Sequence, residues 1–178
     1  MPIAHATFEA STRESAPSRS SRVLDDLLAL EAPELEALYR GATVPNLAAI
    51  SGDLKGKMLA LPALKPPVSN AIRAFASSSR FPWRGKSFNP LGDGRGEGIN
   101  RVIRDRWKLY RFETFVGPSR GGPFDAVQLD YDLSTNPFFI RPIKDEIREL
   151  SPGLYLGQAY LQLPSATHLV LYFGLTSR

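Results

Sequence analysis

The chain has 178 residues, of which 43% are hydrophobic and 22% are charged, with no cysteine, two histidines and a formal net charge of +4. The lack of cysteine excludes disulfides, thiolate nucleophiles, iron–sulfur clusters and cysteine zinc sites, and His5 and His168 are too few for a histidine-rich metal site. No apolar run approaches the roughly 18 residues that span a bilayer. Lysines and arginines interleave with acidic residues, which predicts a mixed-charge surface rather than a nucleic-acid patch. We therefore expect one soluble domain with no cofactor, no metal, no nucleic-acid partner and no integral membrane association.

Residues 1–20 combine serine, threonine, alanine and arginine without an apolar period, which predicts a disordered or loosely packed tail. Glu9 and Glu14 argue against a transit peptide, and no apolar segment resembles a secretory signal. The expected location is therefore cytoplasmic, with an organelle as the alternative. Residues 21–178 are expected to form a single β-barrel domain with a helical N-terminal segment at 21–52.

Within that segment, leucines and a valine between residues 21 and 31 fall on one helical face, opposite acidic residues. Pro33 interrupts this pattern but suits the first turn of a helix, which predicts two short helices at about 21–31 and 33–40. A third short helix is predicted at 45–50.

The remainder of the chain carries strand signals separated by short loops that contain glycine and proline, with one helix predicted near 67–77. The predicted strands lie at 53–61, 81–88, 98–105, 107–116, 124–133, 143–150, and in a hairpin at 153–176 that holds two of them. No crossover helix follows residue 80. The expected fold is mainly β, an antiparallel meander of about eight strands that closes into a small barrel with room for side chains or one ligand.

Two glycine-containing stretches invite a nucleotide-site interpretation that their surroundings exclude. Gly85-Lys86-Ser87 ends like a phosphate-binding loop, but Arg80 stands where the first glycine is required and a strand follows instead of a helix. The loop 92–98 contains four alternating glycines and is also followed by a strand. We expect it to be a flexible strand connection, with a gate over a cavity as the alternative.

Acidic residues on two predicted strands follow ordinary alternation. Asp130 and Asp132 share a face with Gln128, which predicts that these aspartates are solvated and that Tyr131, on the other face, lines the interior. The strand 143–150 mixes both charges and is predicted to lie on the surface. Its charged residues are Lys144, Asp145, Glu146, Arg148 and Glu149.

The register of the hairpin at 153–176 is left open by its sequence, because both faces carry large side chains. Either Tyr160, His168 and Tyr172 face inward, or the apolar face does. That apolar face comprises Leu161, Leu169, Leu171 and Phe173. In the second case His168 is a surface residue, and in the first it is a candidate general base.

Large amphipathic side chains recur on the predicted strands and either fill the core or line a cavity for an apolar ligand. Their polar tips suit the second role, because a few hydroxyl groups can orient a mostly apolar molecule. The predicted ligand contacts are Trp83, Phe112, Tyr131, Tyr160 and Tyr172.

Two stretches, 52–57 and 81–86, each resemble part of the Gly-x-Trp-x-Gly-Lys signature of small lipocalin-like (calycin) proteins, with Leu54 at the tryptophan position of the first and Phe81 at the first glycine of the second. The segment from Ile143 to Phe173 is similar to the ending of the bacterial Gly-x-Trp-x-Gly type. The resemblance implies a lipocalin-like barrel in which tryptophan plugs one end and glycine permits strand bending. Such families include carriers of hydrophobic molecules and, less often, cofactor-free enzymes.

The leading prediction is that the barrel cavity binds a small, largely hydrophobic molecule. The alternative is a cofactor-free isomerase, cyclase or hydratase, which requires an ionisable group inside that cavity, such as a tyrosine, His168 or a carboxylate. A third possibility is an interaction protein in which the segment 21–50 binds a partner. The sequence does not predict an oligomeric state.

Overall fold

A computed structural model describes residues 23–64, 67–78, 80–103 and 106–177. The predicted tail at 1–20 lies outside these residues. Eight strands form a closed barrel in which each strand pairs antiparallel with the next, and the last pairs with the first. The strands are Gly52–Ala60 (β1), Trp83–Gly92 (β2), Arg95–Val102 (β3), Trp107–Pro118 (β4), Asp125–Asp130 (β5), Ile143–Ser151 (β6), Leu154–Gln162 (β7) and Thr167–Thr176 (β8). The predicted fold class, an eight-stranded antiparallel meander barrel, is confirmed.

The loop predicted at 92–98 is shorter than expected. Gly92, Asp93 and Gly94 have φ angles of 91°, 51° and 71°. This left-handed backbone makes a tight turn, so β3 begins at Arg95, which pairs with Gly92. The segment is therefore mostly strand rather than a flexible connection.

The barrel interior contains one apolar cluster to which every strand except β3 contributes a buried side chain. A 3-10 turn at Leu47–Ala49 closes one end of the barrel, because Leu47 and Ile50 pack against this cluster. The turn also lies beside Gly92 and Val116, at the end of the barrel where β2 and β4 finish.

The N-terminal segment covers the outside of the barrel wall. A 3-10 helix at Leu24–Ala29 stands where the first predicted helix was expected, and helix α1 at Ala32–Gly41 follows with its proline in the first turn. Their leucines and Tyr39 pack on outward-facing residues of β1, β7 and β8. Helix α2 at Val68–Ser77 packs against β1. No helix among the described residues is long and apolar enough to cross a membrane.

Both faces of the β7–β8 hairpin are buried, which explains why its register could not be chosen from polarity. Tyr155 and Phe173 face the interior, whereas Leu156 and Tyr172 face the N-terminal segment. A register shift between Ala159 and Tyr160 alters the alternation near the open end of the hairpin.

Candidate functional site

A cavity of about 340 Å³ lies inside the barrel, at the end where the odd-numbered strands finish and the even-numbered strands begin. This end is opposite the 3-10 turn that closes the barrel. The lining residues are Met58, Phe81, Trp83, Lys86, Asn100, Val102, Tyr110, Tyr131, Ile140, Ile143, Asp145, Ala159, Val170, Leu171 and Phe173. The walls are thus almost entirely apolar, and the polar side chains are few.

Four of these polar residues, Lys86, Asn100, Tyr131 and Asp145, form one hydrogen-bonded group that we call the floor cluster. The Lys86 ammonium donates to Asp145 Oδ2 at 2.9 Å, to Asn100 Oδ1 at 2.9 Å and to the Tyr131 hydroxyl at 2.5 Å. Only 2% of Lys86 and 5% of Asp145 are exposed, so this ion pair is almost fully removed from water. All three ammonium donors are therefore used within the cluster.

The other members of the floor cluster are satisfied too, with one exception. Tyr131 donates to Asp145 Oδ2 at 3.0 Å and accepts from Asn100 Nδ2 at 3.0 Å. Asn100 also accepts from Trp83 Nε1 at 3.0 Å and donates to the Tyr110 carbonyl at 3.3 Å. Asp145 Oδ1 is buried and has no hydrogen-bond partner among the described residues.

Aromatic rings surround the Lys86 ammonium. Its nitrogen lies 5.2 Å from the ring centres of Phe112, Tyr131 and Phe173 and 5.7 Å from that of Trp83, within range of cation–π attraction. Burial lowers the pKa of Lys86, and the charge of Asp145 opposes that lowering. Burial also raises the pKa of Tyr131 well above its usual value, and Asp145 raises it further, so this hydroxyl keeps its proton.

Two irregularities in the strands position the side chains of the floor cluster toward the cavity. Gly85 has a φ of 131°, and a Cβ at this position would lie 2.0 Å from the Leu54 carbonyl, so only glycine fits. The pairing of β2 with β3 shifts register between Trp83 and Gly85, which lets both Trp83 and Lys86 face the cavity.

The second irregularity is at Tyr110, where the pairing of β3 with β4 shifts next to Asn100. Tyr110 has a φ of 61°, an uncommon value for a residue with a side chain. This backbone turns its carbonyl toward the Asn100 amide. Strained backbone of this kind is concentrated at functional sites in proteins.

The structure divides the five predicted ligand contacts into three groups. Trp83 and Tyr131 line the cavity. Phe112 is fully buried in the interior, where it packs edge-to-face against Phe88 and Tyr131 with ring centres 5.4 and 5.3 Å apart, but it is not part of the cavity surface. Tyr160 and Tyr172 lie on the outside of the barrel wall. His168 is exposed on β8 and also lies outside the cavity.

Tyr160 and Tyr172 belong to hydrogen bonds that attach α1 to the barrel. Tyr172 donates to Glu36 Oε2 at 2.6 Å, and Tyr160 donates to Gln158 Oε1 at 2.7 Å. Gln158 in turn donates to Glu36 Oε2 at 2.8 Å. Burial is the main cause that raises the pKa of each tyrosine above its usual value.

A second buried polar group, the outer cluster, centres on Glu146 beneath α1. Its other members are Tyr39, Ser119, Arg120 and Gln128. Tyr39 and Ser119 donate to Glu146 Oε1 at 2.9 and 2.5 Å, while Arg120 donates its backbone N–H to Oε2 at 3.0 Å. Both carboxylate oxygens of Glu146 are thus occupied.

The prediction that strand 143–150 lies on the surface is wrong. Asp145 is 5% exposed, Glu146 0% and Arg148 6%, because the first faces the cavity and the other two are covered by the N-terminal segment and the loop after β4. Gln128, expected on a solvated face, is buried for the same reason. Tyr131 faces the interior as predicted.

The sequence interpretation missed Lys86 and Asp145 as site residues, although a signal for Asp145 was present. Asp145 alternates with Ile143 and Ile147, so it is a lone charge on an apolar face. Lys86 likewise shares a face with Phe88. A lone charged residue within an apolar face marks either a buried pair or a site, and here the two lone charges are each other's partners.

Fold and site together define an antiparallel eight-stranded barrel with a ligand-sized apolar cavity and a buried ion pair at its floor. Comparison with protein-family models, with curated proteins and with solved structures finds no match to this chain. The lipocalin-like family assignment therefore stays a prediction from the sequence. Among the described residues, no group of three or more histidines, cysteines, aspartates or glutamates could hold a metal ion.

Proposed function

We propose that this protein binds a small, mostly apolar molecule in the barrel cavity. The observation that carries the proposal is the combination of a hollow apolar space of about 340 Å³ with a single polar group at its floor. Ligand sites in proteins have this character, with apolar walls and a few polar groups that fix orientation. The volume lies near the lower end of the usual range of about 300–1,000 Å³, which favours a small ligand.

The two ends of the interior differ in a way that supports this proposal. Toward the 3-10 turn, Phe88 and Phe112 fill the space by edge-to-face packing. Toward the other end, Ala159 and Val170 contribute only small side chains to the lining and leave space unfilled. Protein interiors are normally close-packed, so an unfilled space of this size is unusual for a core and typical of a ligand site.

The rim of the cavity includes Phe81 and Ile140, both half-buried. Phe81 packs edge-to-face against Phe75 of α2, with ring centres 5.7 Å apart. An apolar ligand would thus meet apolar side chains from the rim to the floor cluster.

The test is binding of the neutral fluorescent probe N-phenyl-1-naphthylamine to the purified protein. Val102 lines the cavity, whereas Val116 is exposed near the closed end, so Val102→Trp and Val116→Trp form a matched pair. We expect saturable single-site binding by the wild type and by Val116→Trp, and loss of binding by Val102→Trp. Absence of saturable binding by the wild type overturns the proposal.

A second candidate function, a cofactor-free isomerase, cyclase or hydratase, is favoured by the ionisable groups in the cavity. Asp145 lines the apolar cavity, and its Oδ1 is a buried acceptor without a partner among the described residues, which makes this carboxylate a candidate general base. The test is mass spectrometry of any compound that co-purifies with the protein, after incubation with wild type or Asp145→Asn. A change in mass or retention with the wild type alone supports catalysis, and an unchanged compound leaves binding as the function.

The cytoplasmic location predicted from the sequence is kept as part of this proposal. Microscopy of a C-terminally tagged chain tests it, and an organellar signal overturns it.

A further inference from the structure

Asp145 lines the cavity, and its Oδ1 is buried without a hydrogen-bond partner among the described residues. A buried polar atom that is left unpaired is costly, so a group that pairs with it stabilises the complex. We propose that the polar end of the ligand is a neutral hydroxyl group, of an alcohol or a phenol, that donates its hydrogen bond to Asp145 Oδ1. This inference rests on the proposed binding function and specifies the chemical class of the ligand.

The hydrogen-bond inventory of the floor cluster shows why a donor is required. The three donors of Lys86, the hydroxyl proton of Tyr131 and the amide protons of Asn100 are all engaged within the cluster or with the Tyr110 carbonyl. The indole N–H of Trp83 is engaged as well. A ligand carbonyl or ether oxygen would therefore find no free donor within the floor cluster, whereas a ligand hydroxyl finds a carboxylate oxygen.

The charges of the residues that line the cavity indicate that the donor group of the ligand is neutral. Lys86 is the one cationic residue among the lining side chains of the described chain, and it already forms an ion pair with Asp145. A ligand carboxylate would lie against Asp145 Oδ1 without a cation to balance it, which is repulsive in an apolar cavity. A ligand ammonium would lie close to the Lys86 ammonium. A hydroxyl adds no charge to the cluster.

The experiment uses ligands that share one apolar skeleton and differ in the polar group. Calorimetric titration at pH 7 compares 2-naphthol, 2-methoxynaphthalene and 2-naphthoate. The methoxy compound has an acceptor without a donor, and the naphthoate carries a charge. We expect 2-naphthol to bind about tenfold more tightly than either of the others, as befits a hydrogen bond to a charged group.

A variant isolates the contribution of the carboxylate. In Asp145→Asn the amide oxygen can still accept from Lys86, and the amide nitrogen then replaces Oδ1 with a donor, so the preference for 2-naphthol over 2-methoxynaphthalene should fall to within about twofold. Asp132→Asn makes the same change on an exposed aspartate and should keep the full preference. Circular dichroism and thermal unfolding of each variant establish that it is folded. If Asp145→Asn does not fold, the comparison of the three ligands on the wild type decides alone.

The outcomes separate this inference from the proposed function. If no naphthalene compound binds saturably to the wild type, both are wrong. If all three bind with equal affinity, the cavity binds apolar molecules but the hydroxyl preference is wrong, with water as the partner of Asp145 Oδ1. Tightest binding of 2-naphthoate also overturns the inference, because it requires a cationic site.

Discussion

Asp145 and Glu146 are neighbours in the chain, yet β6 turns their carboxylates to opposite sides of the barrel wall. Glu146 faces α1, and both of its oxygens accept hydrogen bonds from Tyr39, Ser119 and Arg120. Asp145 lines the cavity, where one oxygen accepts from Lys86 and Tyr131 and the other has no partner in the described part of the chain. A polar cluster whose hydrogen bonds are all satisfied within the protein stabilises the packing of two elements. A cluster beside a cavity that has an unpaired acceptor can form its remaining hydrogen bond with a ligand.

The two clusters also differ in what surrounds them. The outer cluster lies between α1, the loop after β4 and the barrel wall, with no cavity lining residue among its members. The floor cluster lies between close-packed aromatic side chains and a hollow apolar space. The comparison therefore predicts that changes in the outer cluster alter stability alone, and that changes in the floor cluster alter stability and binding.

The largest effect is expected for Lys86→Met, which leaves the Asp145 carboxylate buried without its cation. Removing one member of a buried ion pair costs about 3–5 kcal/mol, and we expect a loss of that size in the free energy of unfolding measured by urea denaturation. The double variant Lys86→Met/Asp145→Leu removes both charges and should be more stable than the single variant. A single variant as stable as the wild type would show that this pair is not buried as described.

A smaller loss is expected for Glu146→Gln in the outer cluster. The amide donor would face groups that are themselves donors, so at least one charge-assisted hydrogen bond is lost, at a cost of about 1.5–3 kcal/mol in unfolding free energy. The control is Glu113→Gln, since the Glu113 side chain is 53% exposed and should tolerate the change. Equal stability of the two variants would contradict the structural role of Glu146.

Alkaline pH should weaken the fold, because burial raises the pKa of Tyr39, Tyr131, Tyr160 and Tyr172 above the value of 10.0 that tyrosine has in the unfolded chain. The stability that these tyrosines contribute is complete below pH 10 and is lost as the pH rises, since the unfolded state then releases protons that the folded state keeps.

The size of this alkaline effect can be measured on one tyrosine. Each such tyrosine adds a slope of up to about 1.4 kcal/mol per pH unit above pH 10. The lowered pKa of Lys86 acts in the opposite direction below pH 10.5, so measurements between pH 10.5 and 11.5 report on tyrosines. For Tyr172→Phe we expect the slope of unfolding free energy against pH, measured by urea denaturation, to be shallower by about the contribution of one tyrosine. An unchanged slope would show that the Tyr172 hydroxyl is exposed to water in the folded protein.

The smallest effect is expected for Tyr160→Phe, which removes one hydrogen bond to Gln158 outside the cavity. The unfolding free energy should fall by about 1 kcal/mol, and the affinity for N-phenyl-1-naphthylamine should stay the same. Tyr131→Phe is the matched change inside the floor cluster and should alter that affinity. A change in probe affinity for Tyr160→Phe would place this side chain in the binding site, as the sequence predicted.

The barrel could be predicted because the strands are recognisable from local sequence patterns. Alternating apolar residues bounded by glycine and proline recur from residue 81 onward, and a meander with short loops leaves few other ways to bury them. Strand boundaries differ from the predicted ones where backbone conformation determines the turn. The left-handed turn at Asp93, for example, lets β3 begin three residues before its predicted start.

The site was less accessible to sequence reasoning because it depends on contacts between distant parts of the chain. Tyr172 and Glu146 lie on the outer side of the barrel wall, and the N-terminal segment, together with the loop after β4 at Glu146, buries them. Lys86 pairs with Asp145 across 59 positions of sequence. The position of Trp83 on the same side as Lys86 also depends on the register shift between Trp83 and Gly85, which no alternation pattern predicts.

The most direct test of the account is to titrate 2-naphthol and 2-methoxynaphthalene into the wild type, Asp145→Asn and Glu146→Gln side by side. The two variants carry the same chemical change at adjacent positions on opposite sides of one strand. We expect Asp145→Asn to abolish the preference for the hydroxyl compound and Glu146→Gln to keep it at the wild-type value despite lower stability. Loss of that preference in both variants, or in neither, would contradict the assignment of the ligand site to the Asp145 side of the wall.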